Sequence, residues 1–327
     1  MEVVGGSPLS SESILSSLHT FQIDIVHGCQ LRCVGCPNST LLEKVRRVDV
    51  EDFRRCIENV DVEYIQFLRL FNFGEPLLHE NLTGIFEVLR DQPWKPDVLE
   101  ISTNAQYCNW DDFESALRMG VLDRLVVSCD GDGTPSSYEK LRPPSKWPKL
   151  IDFLRRAKEL RDRCAPDTQL ITRTIVEDEA AIQRWNDILL PLGWEPEYRE
   201  WKVLPESKEN MTGRQVQAPS DVCTFIAPSE RFSERYHGEV NQLYVDANGT
   251  VVPCCAHPAA RKLGSLKDSK ASELLRSPER AAFVSLLETD RASVPICNKC
   301  EFGPPEAPGE SFKQISPDLA EPVRMIN

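Results

Sequence analysis

The sequence predicts an α/β protein built as an open, partial (β/α)6 TIM barrel with a small cysteine-containing module on its C-terminal side. Short β-rich runs alternate with longer helical patterns over residues 21–205, which is typical of βα units around a parallel sheet. Six β-rich runs occur, too few for a closed barrel of eight strands. After Pro205 the pattern changes to a polar stretch and a hairpin-like segment, which predicts a separate module.

The six predicted strands are short and rich in β-branched and aromatic residues. They are Phe21–Val26, Tyr64–Leu70, Val98–Ser102, Arg124–Ser128, Leu170–Val176 and Tyr198–Leu204. A helix is predicted over Lys149–Arg161, where apolar residues form one face. Asn248–Gly249, between two β-rich runs, predicts a two-residue hairpin loop. The predicted organisation is a lead segment at residues 1–20, the barrel at 21–205, the small module at 206–305 and a tail at 306–327.

Composition and charge limit the classes of function. The 327 residues are 41% hydrophobic and carry a net charge of −13, so a surface that binds nucleic-acid phosphates is not expected. No apolar run approaches the length that crosses a bilayer, and the first residues do not read as a secretory signal. We therefore expect a cytoplasmic protein with neither nucleic acid nor membrane as a partner.

Twelve cysteines in such a chain are better explained as metal ligands than as a disulfide framework, because the cytosol keeps thiols reduced. Cys29, Cys33 and Cys36 are spaced C-x3-C-x2-C in HGCQLRCVGCP, directly after the first predicted strand. Three thiolates from one loop can hold three irons of a [4Fe–4S] cluster and leave the fourth iron open. Zinc, the alternative, normally takes four ligands in paired C-x2-C spacing, and only His27 lies nearby as a fourth.

This cysteine loop resembles that of the radical S-adenosylmethionine (SAM) superfamily. The resemblance implies that SAM binds the open iron through its amino and carboxylate groups. It further implies that one electron, from a donor of the flavodoxin or ferredoxin type, cleaves SAM to a 5′-deoxyadenosyl radical that abstracts hydrogen from an unactivated C–H bond. The sequence departs from the family at Gly35, where an aromatic residue is usual before the third cysteine.

Further segments resemble the SAM-contacting segments of that superfamily in the same order along the chain. GEP follows the second predicted strand, with Phe73 in place of the first glycine of GGEP; STNAQ follows the third strand and SCDG the fourth. Arg173, on the fifth predicted strand, is a candidate partner of the SAM carboxylate, because an arginine and a carboxylate form a charge-assisted hydrogen bond. A structural role for Arg173 is an equal alternative. The predicted SAM-binding residues are Gly74, Glu75, Pro76, Ser102, Asn104, Ser128, Asp130 and Arg173.

The C-terminal module resembles the short form of the SPASM or twitch extension, which holds an auxiliary [4Fe–4S] cluster in some radical SAM enzymes. The matching segments are NGTVVPCC and, further along the chain, CNKC. The resemblance implies a second cluster with four thiolate ligands and no open iron. A zinc ribbon is the alternative for this module taken alone. The predicted ligands are Cys223, Cys254, Cys297 and Cys300.

Cys255 is left over beside a predicted ligand. Neighbouring side chains of an extended strand point to opposite sides, so Cys254 and Cys255 are not expected to serve the same metal. Cys255 is then a buried structural thiol, a ligand in place of Cys254, or a hydrogen-atom donor that faces the substrate. Cys129, beside the predicted SAM-binding segment, has the same alternatives.

The resemblance favours a small-molecule substrate such as an aminosugar or aminocyclitol, because only about twenty residues precede the first predicted strand and peptide-modifying relatives often carry a recognition domain there. The leading expectation is alcohol oxidation with the auxiliary cluster as electron acceptor, as in dehydrogenases of antibiotic biosynthesis. The first alternative is epimerisation, with Cys255 quenching the carbon radical. Modification of a peptide, and a non-catalytic Fe–S or zinc scaffold, are the others.

Overall fold

A computed structural model of the chain describes residues 17–41, 44–207, 223, 225–226 and 242–303. The predicted tail lies outside the described residues, as does the predicted lead segment up to residue 16. The described strands are β1 Leu18–Ile23, β2 Val26–His27, β3 Arg46–Arg47, β4 Ile65–Arg69, β5 Val98–Thr103, β6 Arg124–Ser128, β7 Gln169–Ile175, β8 Glu195–Arg199, β9 Gln242–Val245 and β10 Val251–Val252.

Eight of these strands form one sheet in the order β10-β9-β1-β4-β5-β6-β7-β8. The neighbours from β1 to β8 in this order pair in parallel, each connected through helices, which confirms a partial barrel of six βα strands. β2 and β3 form a separate antiparallel pair beside the first loop. The carboxyl ends of the parallel strands therefore share one edge, where the loops after β1, β4, β5 and β6 meet.

The sixth predicted strand was misplaced. Tyr198–Leu204 was expected, whereas the strand spans Glu195–Arg199 and pairs with Ile171–Ile175. The strand starts with glutamate and proline, which are disfavoured in strands, so residue propensities do not predict it. Pro196 is tolerated because β8 lies at the edge of the sheet.

The helices pack on one face of this sheet and supply the core with it. Leu68, Ile101 and Val127 of β4, β5 and β6 lie in that core. The predicted helix Lys149–Arg161 is confirmed inside a longer one. The described helices are α1 Asn38–Leu41, α2 Val50–Glu58, α3 Leu82–Arg90, α4 Trp110–Leu117, α5 Pro135–Leu141, α6 Trp147–Cys164, α7 Glu179–Leu189, α8 Ala271–Leu275 and α9 Pro278–Asp290.

The opposite, inner face of the sheet is polar. Side chains alternate between the faces of a strand, so Arg69, Glu100 and Arg124 stand on the inner face next to the outward Leu68, Ile101 and Leu125. The register sets Arg69 beside Glu100, and Glu100 beside Arg124. The strands thus carry ionic groups into the space that a barrel encloses.

The C-terminal hairpin extends the barrel sheet, which the sequence did not predict. β9 pairs in parallel with β1, and β10 pairs antiparallel with β9. The hairpin at Asn248–Gly249 is confirmed, but its loop is longer than two residues: Asp246 N donates to Thr250 O, and Gly249, at φ 83°, closes the turn onto Asp246 O. The boundary at residue 205 between barrel and module stays a prediction.

No helix in the described ranges is both long enough and apolar enough to cross a membrane.

Candidate functional site

The loop with the first three cysteines follows β2 and is held in place by two other segments. Arg32 N donates to Pro143 O at 2.6 Å and Val34 N donates to Leu141 O at 2.8 Å, so the chain between α5 and α6 supports the loop. Gly28 forms a bridge with Gly74, and Glu75 N donates to Gly28 O at 3.1 Å. The cysteine loop and the GEP loop are therefore hydrogen-bonded to each other at the carboxyl edge of the sheet.

Gly35 shows how the missing aromatic side chain is replaced. Its φ of 79° suits glycine, and a Cβ built there would lie 3.0 Å from the ring of Trp201. Trp201 follows β8, which is the last parallel strand of the sheet, whereas the cysteine loop lies beside β1, the first. An aromatic ring thus lies beside Gly35, the residue before the third cysteine, but it comes from the end of the barrel and no motif in the sequence pointed to it.

The three thiols lie close enough to interact and are each half-buried. Burial raises the pKa of Cys29 to about 11 and that of Cys33 to about 12, and it also raises the pKa of Cys36. The charge of the other cysteines acts in the same direction on Cys29 and Cys33, whereas the Arg142 guanidinium lowers the pKa of all three thiols. Iron binding removes these protons, because thiolate is the ligand.

Arg142 is a residue of this site that the sequence did not indicate. Its guanidinium lies by Cys33 and forms a buried ion pair with Asp130, one of the predicted SAM-binding residues. Asp130 also accepts a hydrogen bond from Ile175 N at 3.2 Å. The Asp130 carboxylate therefore holds Arg142 beside the cysteine loop and joins the ends of β6 and β7.

Glu75 and Asn104 connect the GEP and STNAQ segments to Cys29. The buried Glu75 carboxylate accepts hydrogen bonds from Thr103 Oγ1 at 2.6 Å and Asn104 N at 2.7 Å. Burial nevertheless raises its pKa to about 7. Asn104 Nδ2 donates to Cys29 Sγ at 3.4 Å and to Gln30 Oε1 at 3.2 Å. Asn104 thus contacts a predicted iron ligand.

The remaining predicted SAM-binding residues surround the same edge. Ser102 lies one residue before the end of β5 and Ser128 ends β6, both half-buried on the inner face, and Pro76 starts a short 3-10 turn. Gly74 has no room for a side chain, because a Cβ there would lie 1.7 Å from Val26 O. Arg173 pairs with Ser128 in the register, and its guanidinium lies with Nε 3.0 Å from Glu197 and Nη1 3.2 Å from Glu100. Its role as SAM carboxylate partner stays a prediction.

A cavity beside β10 is lined by all four of the other predicted iron ligands. Burial raises the pKa of each of these thiols, that of Cys297 to about 11. Arg291 also lines the cavity, and it donates to Cys297 O at 3.2 Å and Cys300 O at 3.3 Å. The other lining residues are mainly apolar. Four thiols converging on one cavity in an apolar wall fit a fully ligated cluster.

Cys254 and Cys255 point to opposite sides, as alternation predicts. Cys254 lines the cavity, whereas Cys255 packs against Phe73 and Tyr244 on the inner side of the sheet. Burial raises the pKa of Cys255 to about 11, which the charge of Arg69 and the Tyr244 hydroxyl partly offset. Cys129, by contrast, is fully buried in the core between sheet and helices, as a structural thiol is.

The two cysteine sets fit Fe–S clusters better than single metal ions. Within the described ranges, no three His, Cys, Asp or Glu side chains come together as ligands of one ion. Tetrahedral zinc, with Zn–S of about 2.3 Å, requires sulfur atoms roughly 4 Å apart. In a cubane cluster each thiolate binds a different iron, so the sulfur atoms stand farther apart.

Two family models match the chain. Residues 23–173 match the radical SAM superfamily, and residues 237–301 match SPASM, an iron–sulfur cluster-binding domain. The first match contains the cysteine triad and the second contains the cavity cysteines from Cys254 onward. No curated protein matches the chain in sequence.

Solved structures share the fold at low identity. The chain is similar to BtrN in complex with AdoMet and 2-DOIA, at a TM-score of 0.50 and 13% identity over 86% of this chain and 92% of that one. It is also similar to anSMEcpe with bound AdoMet and Cp18Cys peptide, at a TM-score of 0.57 and 14% identity over 87% and 88%. The AdoMet complex of anSMEcpe without peptide gives a TM-score of 0.58 and 13% identity over 86% and 88%.

The domain matches determine the cofactors, namely a [4Fe–4S] cluster with SAM in the barrel and a further Fe–S cluster in the C-terminal module. The cysteine loop, the polar strand ends beside it and the four-thiol cavity agree with that assignment. The chain belongs to the radical SAM superfamily and carries a SPASM iron–sulfur cluster-binding domain.

Proposed function

We propose that this radical SAM enzyme inverts a stereocentre of a small molecule, with Cys255 as the hydrogen-atom donor to the substrate radical. The observation that carries the proposal is the position of Cys255. Its side chain packs against Tyr244 and Phe73 on the inner side of the sheet, while its neighbour Cys254 lines the four-thiol cavity. This geometry favours epimerisation over alcohol oxidation, the leading expectation from the sequence.

Cys29, Cys33 and Cys36 would hold the SAM-binding cluster, and Cys223, Cys254, Cys297 and Cys300 the second one. When bound, these groups and SAM supply the one-electron chemistry that removes a hydrogen atom from the substrate. The chain supplies the second hydrogen atom: the S–H bond of Cys255 breaks and a new C–H bond forms on the other face of the carbon. A pKa of about 11 keeps this thiol protonated at neutral pH, as a hydrogen-atom donor requires.

Each turnover leaves a sulfur radical on Cys255. One electron and one proton restore the thiol, and the electron comes from a one-electron donor of the flavodoxin or ferredoxin type. Tyr244, whose hydroxyl interacts with Cys255, keeps the thiol oriented along the inner face. SAM is consumed in this scheme, since the hydrogen atom it removed is not returned to it.

Alcohol oxidation remains the second candidate, and the cavity beside Cys254 favours it, because a cluster there is an electron acceptor next to the substrate space. Oxidation also needs a base for the hydroxyl proton. Glu100 and Glu197 on the inner face are both paired with Arg173, and the nearby guanidiniums lower the pKa of Glu100. Carboxylates that are paired with guanidinium groups are weak bases, and this favours epimerisation over oxidation.

The substitutions Cys255→Ala and Cys255→Ser test the proposal in the anaerobically reconstituted enzyme. The wild type in D2O should give product of unchanged connectivity with one deuterium on carbon, from candidate sugars and cyclitols screened by mass. Both variants should still release 5′-deoxyadenosine while product falls at least about 100-fold, as expected when the group that makes the new bond is lost.

Cys164→Ala is the matched control, because Cys164 ends α6 on the helix side, away from the inner face. Its product yield should equal that of the wild type. A product lighter by two hydrogens would support oxidation instead. Absence of 5′-deoxyadenosine from the wild type would contradict both candidates, and a change in a test peptide alone would move the substrate class to peptides.

A further inference from the structure

The inner face of the sheet carries more positive than negative charge. Four strands contribute one arginine each: Arg69 on β4, Arg124 on β6, Arg173 on β7 and Arg199 on β8. Three carboxylates stand on the same face, Glu100 on β5 and Glu195 and Glu197 on β8, and Glu195 is exposed. Only Arg173 is a candidate from the sequence, because these residues are far apart along the chain.

Five of these groups are connected by ion pairs. Arg124 lies beside Glu100 in the register and donates Nε to Gln169 Oε1 at 2.8 Å. Arg173 bonds two of the carboxylates, with Nη1 3.2 Å from Glu100 Oε1 and Nε 3.0 Å from Glu197 Oε2. Arg69 Nε lies 3.6 Å from the same Glu100 oxygen, and Arg199 Nη2 lies 3.7 Å from the same Glu197 oxygen. Glu100 and Glu197 are therefore each shared between arginines, and the second contact is long in both cases.

Hydrogen-bonding capacity on the inner face is left over. Among the described residues, Arg69 Nε, Arg124 Nη1 and Arg173 Nη2 are buried and have no hydrogen-bond partner. Glu100 Oε2 has none either, but one more carboxylate oxygen cannot serve three guanidiniums. Buried donors that the protein leaves without partners are expected where a ligand completes them.

The excess charge acts on the arginine nearest to solvent. Arg199 is the most exposed of the four with 38% of its side chain accessible, against 14% for Arg69 and Arg173. Burial, together with repulsion from Arg173 and Arg69, lowers the pKa of Arg199 to about 9. Uncompensated charge in such a site is unfavourable, and an anion would relieve it.

The bound clusters do not account for this excess, because each thiol set has an arginine of its own. Arg142 lies beside Cys33, and Arg291 lines the four-thiol cavity. SAM brings a sulfonium, an ammonium and a carboxylate, so it carries no net negative charge. Arg173 is the predicted partner of the SAM carboxylate, so Arg69 and Arg199 are the paired arginines that remain for a group of another molecule.

We propose that the substrate carries an oxyanion, a carboxylate or a phosphate, which binds to the guanidinium groups of Arg69 and Arg199. Guanidinium groups bind such oxyanions through paired N–H donors. This rests on the proposed function, since it names the substrate class of the same site. It departs from the aminosugar or aminocyclitol that the resemblance favours, because a polycation would be repelled by this face.

The anion would also place the substrate next to the thiol donor. The charge of Arg69 acts on both Cys255 and Tyr244, which shows that this guanidinium lies near them. An oxyanion on Arg69 therefore anchors one end of a molecule whose carbon skeleton extends toward Cys255. Arg199, the exposed member, stands where the anion enters.

Calorimetric titration of the reconstituted holoenzyme, saturated with SAM and without reductant, tests the proposal. The probes are inorganic phosphate and acetate, which distinguish the two anion types, and glucosamine as a cationic probe, with chloride held constant. At least one oxyanion should bind saturably. Arg199→Gln should weaken that binding at least about tenfold, the equivalent of one charge-assisted hydrogen bond.

Arg163→Gln is the matched control, since Arg163 forms an exposed pair with Glu114 on the helix side. Its affinity should stay within twofold of the wild type, and cluster EPR signals should be the same in all three proteins. Saturable binding of neither oxyanion, equal affinity in Arg199→Gln, or binding of glucosamine alone would each overturn the proposal. Binding is measured without turnover, so this result is independent of the deuterium and 5′-deoxyadenosine tests.

Discussion

At the scale of single residues, Arg142 illustrates how one buried charge organises the first cysteine loop. The guanidinium pairs with Asp130 at the end of β6 and lies beside Cys33. Its charge lowers the pKa of Cys33, against the effect of burial. The positive charge thus favours the thiolate that iron needs, in a place where water is excluded.

Replacing this arginine should destabilise the protein more than a surface substitution would. Arg142→Gln leaves the Asp130 carboxylate buried without its cation, which costs about 3–5 kcal/mol in comparable pairs. Chemical denaturation of the reconstituted protein measures the loss. The double variant Arg142→Gln/Asp130→Asn should recover part of it, and equal stability of the single and double variants would contradict the pairing.

The two adjacent cysteines should differ in iron content. Cys254 lines the four-thiol cavity and Cys255 does not, so only Cys254→Ala should lose the second cluster. We expect about eight irons per chain in the wild type and in Cys255→Ala, and about four in Cys254→Ala, by iron and sulfide analysis after anaerobic reconstitution. The reverse pattern would make Cys255 the ligand.

At the scale of elements, the site depends on close contact between the loops after β2 and β4. Gly28 and Gly74 pair in these loops, and Glu75 N bonds Gly28 O. The contact is close enough that no side chain fits at Gly74. Such an approach ties the cysteine loop to the GEP loop, so that a predicted iron ligand and a predicted SAM-binding segment keep a fixed separation.

Gly74→Ala should therefore separate these two loops. A methyl group 1.7 Å from Val26 O forces the backbone to move, at a cost of about 1–3 kcal/mol or more. Thermal unfolding gives the stability, and calorimetry gives SAM affinity, which should fall with it. Gly120→Ala is the comparison: φ is +66° there but open space surrounds the position, so it should lose some stability and keep SAM binding. Equal SAM affinity in both variants would contradict the argument.

At the scale of the whole molecule, Asp24 connects the barrel to the C-terminal hairpin and affects the stability of the protein. This buried carboxyl follows β1 and accepts hydrogen bonds from Asn72 N at 2.7 Å and Phe73 N at 2.9 Å. Burial raises its pKa from 3.8 to about 7, and Asp246 of the C-terminal hairpin also raises it. One protonation site thus couples the sheet, the loop before Gly74 and the hairpin.

The stability that Asp24 contributes should decline as the pH rises. The folded protein holds the proton more tightly than the unfolded chain, so the contribution is complete below about pH 4 and is lost as the pH rises through about 7. Asp24→Asn removes the titration. Between pH 5 and 8 the free energy of unfolding of the wild type should fall relative to that of Asp24→Asn. Parallel dependence of the two unfolding free energies on pH would contradict the raised pKa of Asp24. Titration of the thiols does not affect the comparison, because both proteins contain them.

Part of the fold and the site could be read from local patterns. Five of the six strands were placed within a few residues, because buried parallel strands are short runs of apolar and β-branched residues. The cysteine triad was found because its members lie within one loop, where spacing along the chain fixes spacing in space. The sixth strand escaped because a sheet edge tolerates the proline and glutamates that propensity rejects.

The sequence by itself determined the parallel α/β class, the two cysteine sets and the opposite directions of Cys254 and Cys255, all of which depend on neighbours along the chain. Only the tertiary structure decided which residues from distant parts of the chain lie next to these features. It brought Trp201 to Gly35 and Arg142 to Cys33, and it gathered four arginines from four strands onto one face. The physical reason is that a parallel sheet joins residues tens of positions apart through its register, and register depends on packing between strands that no local pattern encodes.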